Sequence, residues 1–104
     1  MNVAIIGYGK MGREIEKILL ERGHSVGLVI DVGNSVDLCA DKVKNIDVAM
    51  EFTSPDTAFD NIARCLELGV PVLSGSTGWV SRKAEADELC RRKEGAFFYS
   101  SNYS

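Results

Sequence analysis

Val3-Ala4-Ile5-Ile6-Gly7-Tyr8-Gly9-Lys10-Met11-Gly12-Arg13 is the stretch on which the reading of this chain turns. A run of apolar, mostly β-branched residues reads as a strand. It stops at a glycine, two more glycines follow at G-x-G-x-x-G spacing, and a helical pattern begins at once. Within a βαβ unit this spacing is the dinucleotide-binding fingerprint, and each glycine has its own task. Gly7 permits the tight strand-to-helix turn. Gly9 lets the backbone approach a pyrophosphate, which a Cβ would obstruct. Gly12 lets the helix lie close to the sheet. Tyr8, Lys10 and Met11 fill the turn between them, and the helix N-terminus offers unpaired N–H groups to phosphate. Lys10 and Arg13 flank the turn and suit phosphate contact or packing better than proton transfer.

The same pattern extends along the chain. A helix is expected from about Lys10 to Arg22, with Met11, Ile15, Ile18 and Leu19 on its apolar face. Gly23 ends it. Val26 to Ile30 reads as the second strand, and Asp31 stands at its tip, 19 positions beyond Gly12. A carboxylate there accepts hydrogen bonds from ribose hydroxyls and repels a 2′-phosphate. No Arg or Lys lies between Asp31 and Lys42, so the sequence leans to NADH over NADPH. Residues 32–46 read as irregular, with the second crossover helix short or absent. Asp47 to Phe52 forms a third strand that contains Glu51, which suits a structural role at the rim as well as a functional one. Thr53-Ser54-Pro55-Asp56 is a helix start, with Ser54 as N-cap and Pro55 at the first helical position. Ala58, Phe59, Ile62, Ala63 and Leu66 make its apolar face, and Gly69 closes it. Pro71 to Ser74 is strand four and leads into Gly75-Ser76-Thr77-Gly78. Ser81 is expected to cap a charged, surface-lying helix to about Lys93. Gly95 resets the chain before strand five, Ala96 to Tyr99, and the segment Ser100–Ser104.

Strands alternating with helices specify an α/β Rossmann-type, doubly wound parallel sheet of about five strands. Ligands collect at the C-terminal strand ends of such sheets, where Gly7–Gly12, Asp31, Phe52-Thr53, Gly75–Gly78 and Ser101–Ser104 all fall. The 104 residues suffice for one domain, and 45% hydrophobic and 26% charged residues are ordinary for a soluble one. A net charge of −3 with no basic patch argues against nucleic acid as the main partner. No membrane span or signal peptide is evident, which makes the cytoplasm the expected location. Cys39, Cys65 and Cys90 lack metal or disulfide spacing, so no metal is expected. The single histidine, His24, falls at the sheet edge opposite the glycine turn. The chain thus offers a cofactor site and no convincing acid–base group.

Glu51-Phe52-Thr53-Ser54-Pro55, Gly75-Ser76-Thr77-Gly78 and Ser101-Asn102-Tyr103-Ser104, taken with the glycine turn, resemble the N-terminal nucleotide-binding domain of the 4-hydroxy-tetrahydrodipicolinate (dihydrodipicolinate) reductase family. That family carries D-F-T-x-P, G-T-T-G and N-F-S at the corresponding strand ends. The resemblance implies an NAD(P)H-dependent reductase of the diaminopimelate route to lysine, acting on a small cyclic dicarboxylate and working as a homo-oligomer. It implies pyrophosphate binding by Gly7, Gly12 and neighbouring amides, and ribose binding by Asp31. Phe52 and Thr53 would line the cofactor cleft, and Gly75 and Thr77 would lie beside the nicotinamide carboxamide and the substrate. Asn102 and Tyr103 would stand at the nicotinamide end. Glu51, Ser76 and Tyr103 replace the family's usual Asp, Thr and Phe.

Family members are about twice as long or more, and the resemblance places the catalytic His- and Lys-bearing segment in a substrate and oligomerisation domain absent here. The sequence therefore reads as a truncated chain or isolated domain, residues 1–104, with no catalytic residue of its own, which binds NADH without turnover. The alternatives are the cofactor domain of a homoserine or aspartate dehydrogenase-like enzyme, a non-catalytic NAD-sensing module, and a doubly wound domain without a ligand.

Overall fold

A computed structural model describes residues 1–99. Its centre is a sheet of five parallel strands in the order β2-β1-β3-β4-β5. The strands are β1 (Asn2–Ile6), β2 (Ser25–Ile30), β3 (Val48–Glu51), β4 (Val72–Ser74) and β5 (Phe97–Tyr99). Four α-helices join them: α1 (Lys10–Glu21), α2 (Ala40–Val43), α3 (Pro55–Glu67) and α4 (Lys83–Arg92). The β2-to-β3 crossover is short, a 3-10 turn at Ser35–Asp37 followed by the four residues of α2.

Side chains alternate across a strand, and β1 shows where each half goes. Val3 and Ile5 pack with Leu19 and the half-buried Ile15 of α1. Ala4 and Ile6 face the larger core built with Val43, Ala58, Ile62, Leu66, Trp79 and Ala86. One helix therefore covers one face, and three cover the other. The expected apolar face of α1 needs correction. Leu19 is buried, but Ile18 and Met11 are exposed, because the cluster under α1 is narrow and built mainly on β1.

The start of the last helix also differs from expectation. Ser81 does not cap it: Val80–Arg82 forms a 3-10 turn, and α4 begins at Lys83 with Arg82 in the cap position. Trp79 explains the displacement. Its ring is buried against Phe97 and Tyr99, and its indole N–H donates to the Ser76 carbonyl at 3.0 Å. Ser54 occupies the N-cap position of α3, but its hydroxyl meets Thr57 Oγ1 at 3.2 Å and caps no backbone N–H.

Three helices end in the same left-handed turn, two of them at glycines: Gly23 (φ 84°) and Gly69 (φ 77°). The third ends at Glu94 (φ 52°), and not at Gly95. Gly95 is small for a different reason, since a Cβ there would lie 3.0 Å from Leu66 Cδ2. Packing against α3 thus takes the glycine and leaves the strained position to a glutamate.

Candidate functional site

The order of strands reverses direction between β1 and β3, and a crevice opens outside the carboxyl ends of such a pair. Here it is a cleft of roughly 380 Å³ whose walls come from the ends of β1, β2 and β3 and the first two turns of α3. Gly7, Tyr8 and Gly9 form one wall, Asp31, Val32 and Ser35 a second, and Phe52 and Thr53 the floor between them. Ser54, Thr57 and Asn61 of α3 complete the far side.

The glycine turn is built as its spacing requires. Gly7 has φ 101°, its N–H donates to the Ile30 carbonyl at 2.8 Å, and a Cβ on it would lie 2.1 Å from the Phe52 carbonyl oxygen. Two strand ends therefore meet at an atom that no side chain can share. A Cβ on Gly12 would lie 2.1 Å from the Gly7 carbonyl oxygen, so Gly12 seats α1 on the turn. A Cβ on Gly9 would meet nothing within 4 Å: it borders open space, where a ligand can approach. Gly9 is also the N-cap of the 12-residue α1, so the first amides of α1 have no partner within the helix. Tyr8 is held in place by its hydroxyl, which donates to Glu16 Oε1 at 2.5 Å, and by the Arg13 guanidinium 5.1 Å from its ring centre. The Glu16 carboxylate holds the Tyr8 phenol above its ordinary pKa.

Asp31 is exposed at the tip of β2. Asn34 fixes the backbone there: its Oδ1 accepts from the Asp31 N–H at 2.6 Å and its amide N–H donates to the Val29 carbonyl at 2.8 Å. Asp31 is the one charged residue lining the cleft among the described residues.

Of the residues singled out in the sequence, Gly7, Tyr8, Gly9, Asp31, Phe52 and Thr53 come together around this cleft. Lys10 and Met11 lie exposed on the first turn of α1, and Gly12 is buried behind it. Gly75 and Thr77 follow β4 and do not line the cleft. Gly75 is tied to β3 through its N–H, which donates to the Glu51 carbonyl at 2.9 Å, and Thr77 is exposed. Asn102 and Tyr103 lie outside the described residues. His24 sits at the opposite edge, its Nδ1 3.1 Å from the terminal amine of Met1. Thr57 and Asn61 were not singled out. Their signal is a polar stripe, residues 54, 57 and 61, beside the buried stripe Ala58, Ile62 and Cys65. Among the described residues no cluster of His, Cys, Asp and Glu could hold a metal ion. No described helix is long and apolar enough to cross a membrane.

A model of the family described as "Dihydrodipicolinate reductase, N-terminus" matches residues 1–103. The chain belongs to this family. A 4-hydroxy-tetrahydrodipicolinate reductase of Christiangramia forsetii is 40% identical over 111 residues, covering all of this chain and 43% of the relative. The protein of the same name from Bifidobacterium animalis subsp. lactis is 30% identical over 107 residues, covering 93% of this chain and 42% of the relative. The chain thus spans less than half the length of the curated relatives it matches.

Solved structures share the architecture without close sequence. An archaeal homoserine dehydrogenase in complex with NADPH superposes with a TM-score of 0.69 at 16% identity, over 96% of this chain and 43% of its own. A Gfo/Idh/MocA family oxidoreductase from Vibrio cholerae gives 0.65 at 14%, over 96% and 38%. These likenesses establish the Rossmann-type fold. They do not favour the homoserine dehydrogenase reading, because sequence similarity follows the dihydrodipicolinate reductase family along nearly the whole chain.

Proposed function

We propose that the cleft between β1 and β3 holds a nicotinamide dinucleotide, and that the chain is the cofactor-binding part of a 4-hydroxy-tetrahydrodipicolinate reductase. The observation that carries this reading is the glycine turn. Gly7 and Gly12 are closed to any side chain by protein backbone, while Gly9 borders open space at the N-terminus of a long helix. This is a cradle for a pyrophosphate, which the free amides of the first helical turn would bind. The Asp31 carboxylate, on the same cleft, would accept the hydroxyls of the adenosine ribose.

When bound, the nicotinamide supplies hydride to the substrate, expected to be a small cyclic dicarboxylate. This chain's residues bind and orient the cofactor. Gly75, Thr77, Asn102 and Tyr103 are assigned to the nicotinamide end, with Thr77 also beside the substrate, on the strength of the family motifs. No described side chain in the cleft suits proton donation to a substrate, and His24 is at the wrong edge. The cytoplasm is the expected setting for such an enzyme, and the complete reductase is expected to be a homo-oligomer.

NADH is the favoured form, because among the described residues the one charge on the cleft is negative and a 2′-phosphate would face Asp31 without a described cation to offset it. Calorimetric titration tests both levels. NADH should bind the 104-residue chain more tightly than NADPH, and Asp31→Ser should cut NADH affinity by about tenfold while sparing NADPH. Silence with both nucleotides would refute the cofactor reading. A preference for NADPH in the unaltered chain would refute only the role given to Asp31. In a steady-state assay the chain alone should not oxidise NADH in response to substrate.

A further inference from the structure

Glu51 is completely buried at the end of β3, and no ion pair of the described residues involves it. Its carboxylate is satisfied by hydroxyl and amide protons. Ser74 Oγ donates to Oε1 at 2.5 Å. Oε2 accepts from Ser76 Oγ at 2.5 Å, from the Thr53 N–H at 2.8 Å and from the Thr53 hydroxyl. One donor thus reaches Oε1 and three converge on Oε2, where the Thr53 N–H is shared with Ser76 Oγ at 2.8 Å. Ser74 and Ser76 are themselves buried, so the group ties the end of β3 to the end of β4 from inside.

The arrangement has a consequence at the cleft. A threonine hydroxyl has one proton and two lone pairs. The Thr53 proton is committed to Glu51, and Thr53 lines the cleft. Among the described residues its one other side-chain partner is the Asn61 amide, a long contact of 3.4 Å. Thr53 Oγ1 therefore meets a ligand as an acceptor only.

The geometry points to Glu51 as a positioning residue that makes Thr53 Oγ1 an obligate acceptor, selective for a hydroxyl or amide N–H of the bound dinucleotide and unfavourable to its phosphates. This rests on the cofactor reading above and deepens it. The cleft is then sorted by polarity. Free amides at the start of α1 face phosphate, whereas Thr53 Oγ1 and the Asp31 carboxylate face groups that donate.

The test uses the 104-residue chain, with NADH titrated calorimetrically and inorganic pyrophosphate measured by competition. Thr53→Val keeps the shape and loses the acceptor, and should weaken NADH by about tenfold. It should leave pyrophosphate affinity within about twofold, which a general loosening of the loop would not. Thr53→Ser should restore NADH binding. Glu51→Gln keeps an acceptor oxygen toward Thr53 and should change NADH affinity by less than about threefold, whereas Glu51→Leu should match the Thr53→Val loss and add nothing to it in the double variant. If Glu51→Leu does not fold, the Thr53 pair decides the matter alone. Equal NADH affinity in Thr53→Val and the unaltered chain, or an equal loss for both ligands, overturns the inference while leaving the cofactor reading intact. An unaltered chain that binds no NADH overturns both.

Discussion

The two faces of the sheet are made from the same strands and differ sharply in how they are covered. On the face under α2, α3 and α4, the core runs without interruption from Ile30 through Ala4, Ile6 and Ala49 to Val72 and Trp79. On the face under α1, the buried apolar residues are Val3, Ile5 and Leu19. Val48 and Met50 are only half-buried there, and Phe98, whose strand neighbours Phe97 and Tyr99 turn to the larger core, is 65% exposed. The difference teaches that a parallel sheet does not need equal layers to define its ligand site. The cleft is fixed by the ends of β1, β2 and β3, and these ends are locked to one another by backbone hydrogen bonds. Gly7 donates to Ile30 and Phe52 to Ile6, while Gly75 extends the tie to the end of β4 by donating to Glu51.

This asymmetry can be broken from either side. Trp79→Ala should have the largest effect. It removes the biggest fully buried side chain, its ring contacts and its hydrogen bond to Ser76. We expect a loss of about 3–5 kcal/mol in denaturant unfolding. Leu19→Ala tests the thinner face and should cost about 2–3 kcal/mol, since a sparsely covered site relaxes more readily around a cavity. A cost equal to that of Trp79→Ala would show that the two faces are equally consolidated.

Thiol chemistry provides a finer comparison. Cys65 is fully buried in the larger core, and burial, with the Glu51 carboxylate adding to it, pushes its thiol up to about 12. In the unfolded chain the same thiol ionises near 9.0. Its contribution to stability is therefore complete below about pH 9 and is lost as pH rises toward 12. Replacement by Ala should flatten that part of the stability–pH curve, and at pH 8 native Cys65 should resist alkylation that reaches the half-buried Cys39 and Cys90. Smallest of all, Phe98→Ser on the exposed side should change stability by no more than about 0.5 kcal/mol.

The sequence was legible where structure follows from local pattern. Strand β1, the glycine turn and α1 are set by a period, a conformational need at Gly7 and an immediate change of period. Helix α3 is marked by Pro55 at its first position. What could not be read depends on partners distant in sequence. Glu51 remained open between structural and functional roles because Ser74 and Ser76, 23 and 25 positions away, decide its setting. The start of α4 was displaced by Trp79, an isolated aromatic whose burial no periodicity announces. Ile18 fits the helical stripe of α1 but lies beyond the reach of the narrow cluster beneath it. Thr57 and Asn61 sit on a polar stripe like that of any surface helix, and only the packing of α3 against β3 and β4 turns that stripe toward a cleft.

Trp79 is the chain's single tryptophan, and this makes it an optical reporter as well as an anchor. Its indole is out of water, in edge contact with Tyr99 and hydrogen-bonded to Ser76 in the turn after β4. Emission from the folded chain comes from one site in one environment, blue-shifted relative to the unfolded chain. Reduced nicotinamide absorbs in the range where tryptophan emits, so energy transfer from Trp79 would signal a ligand in the neighbouring cleft without any added label.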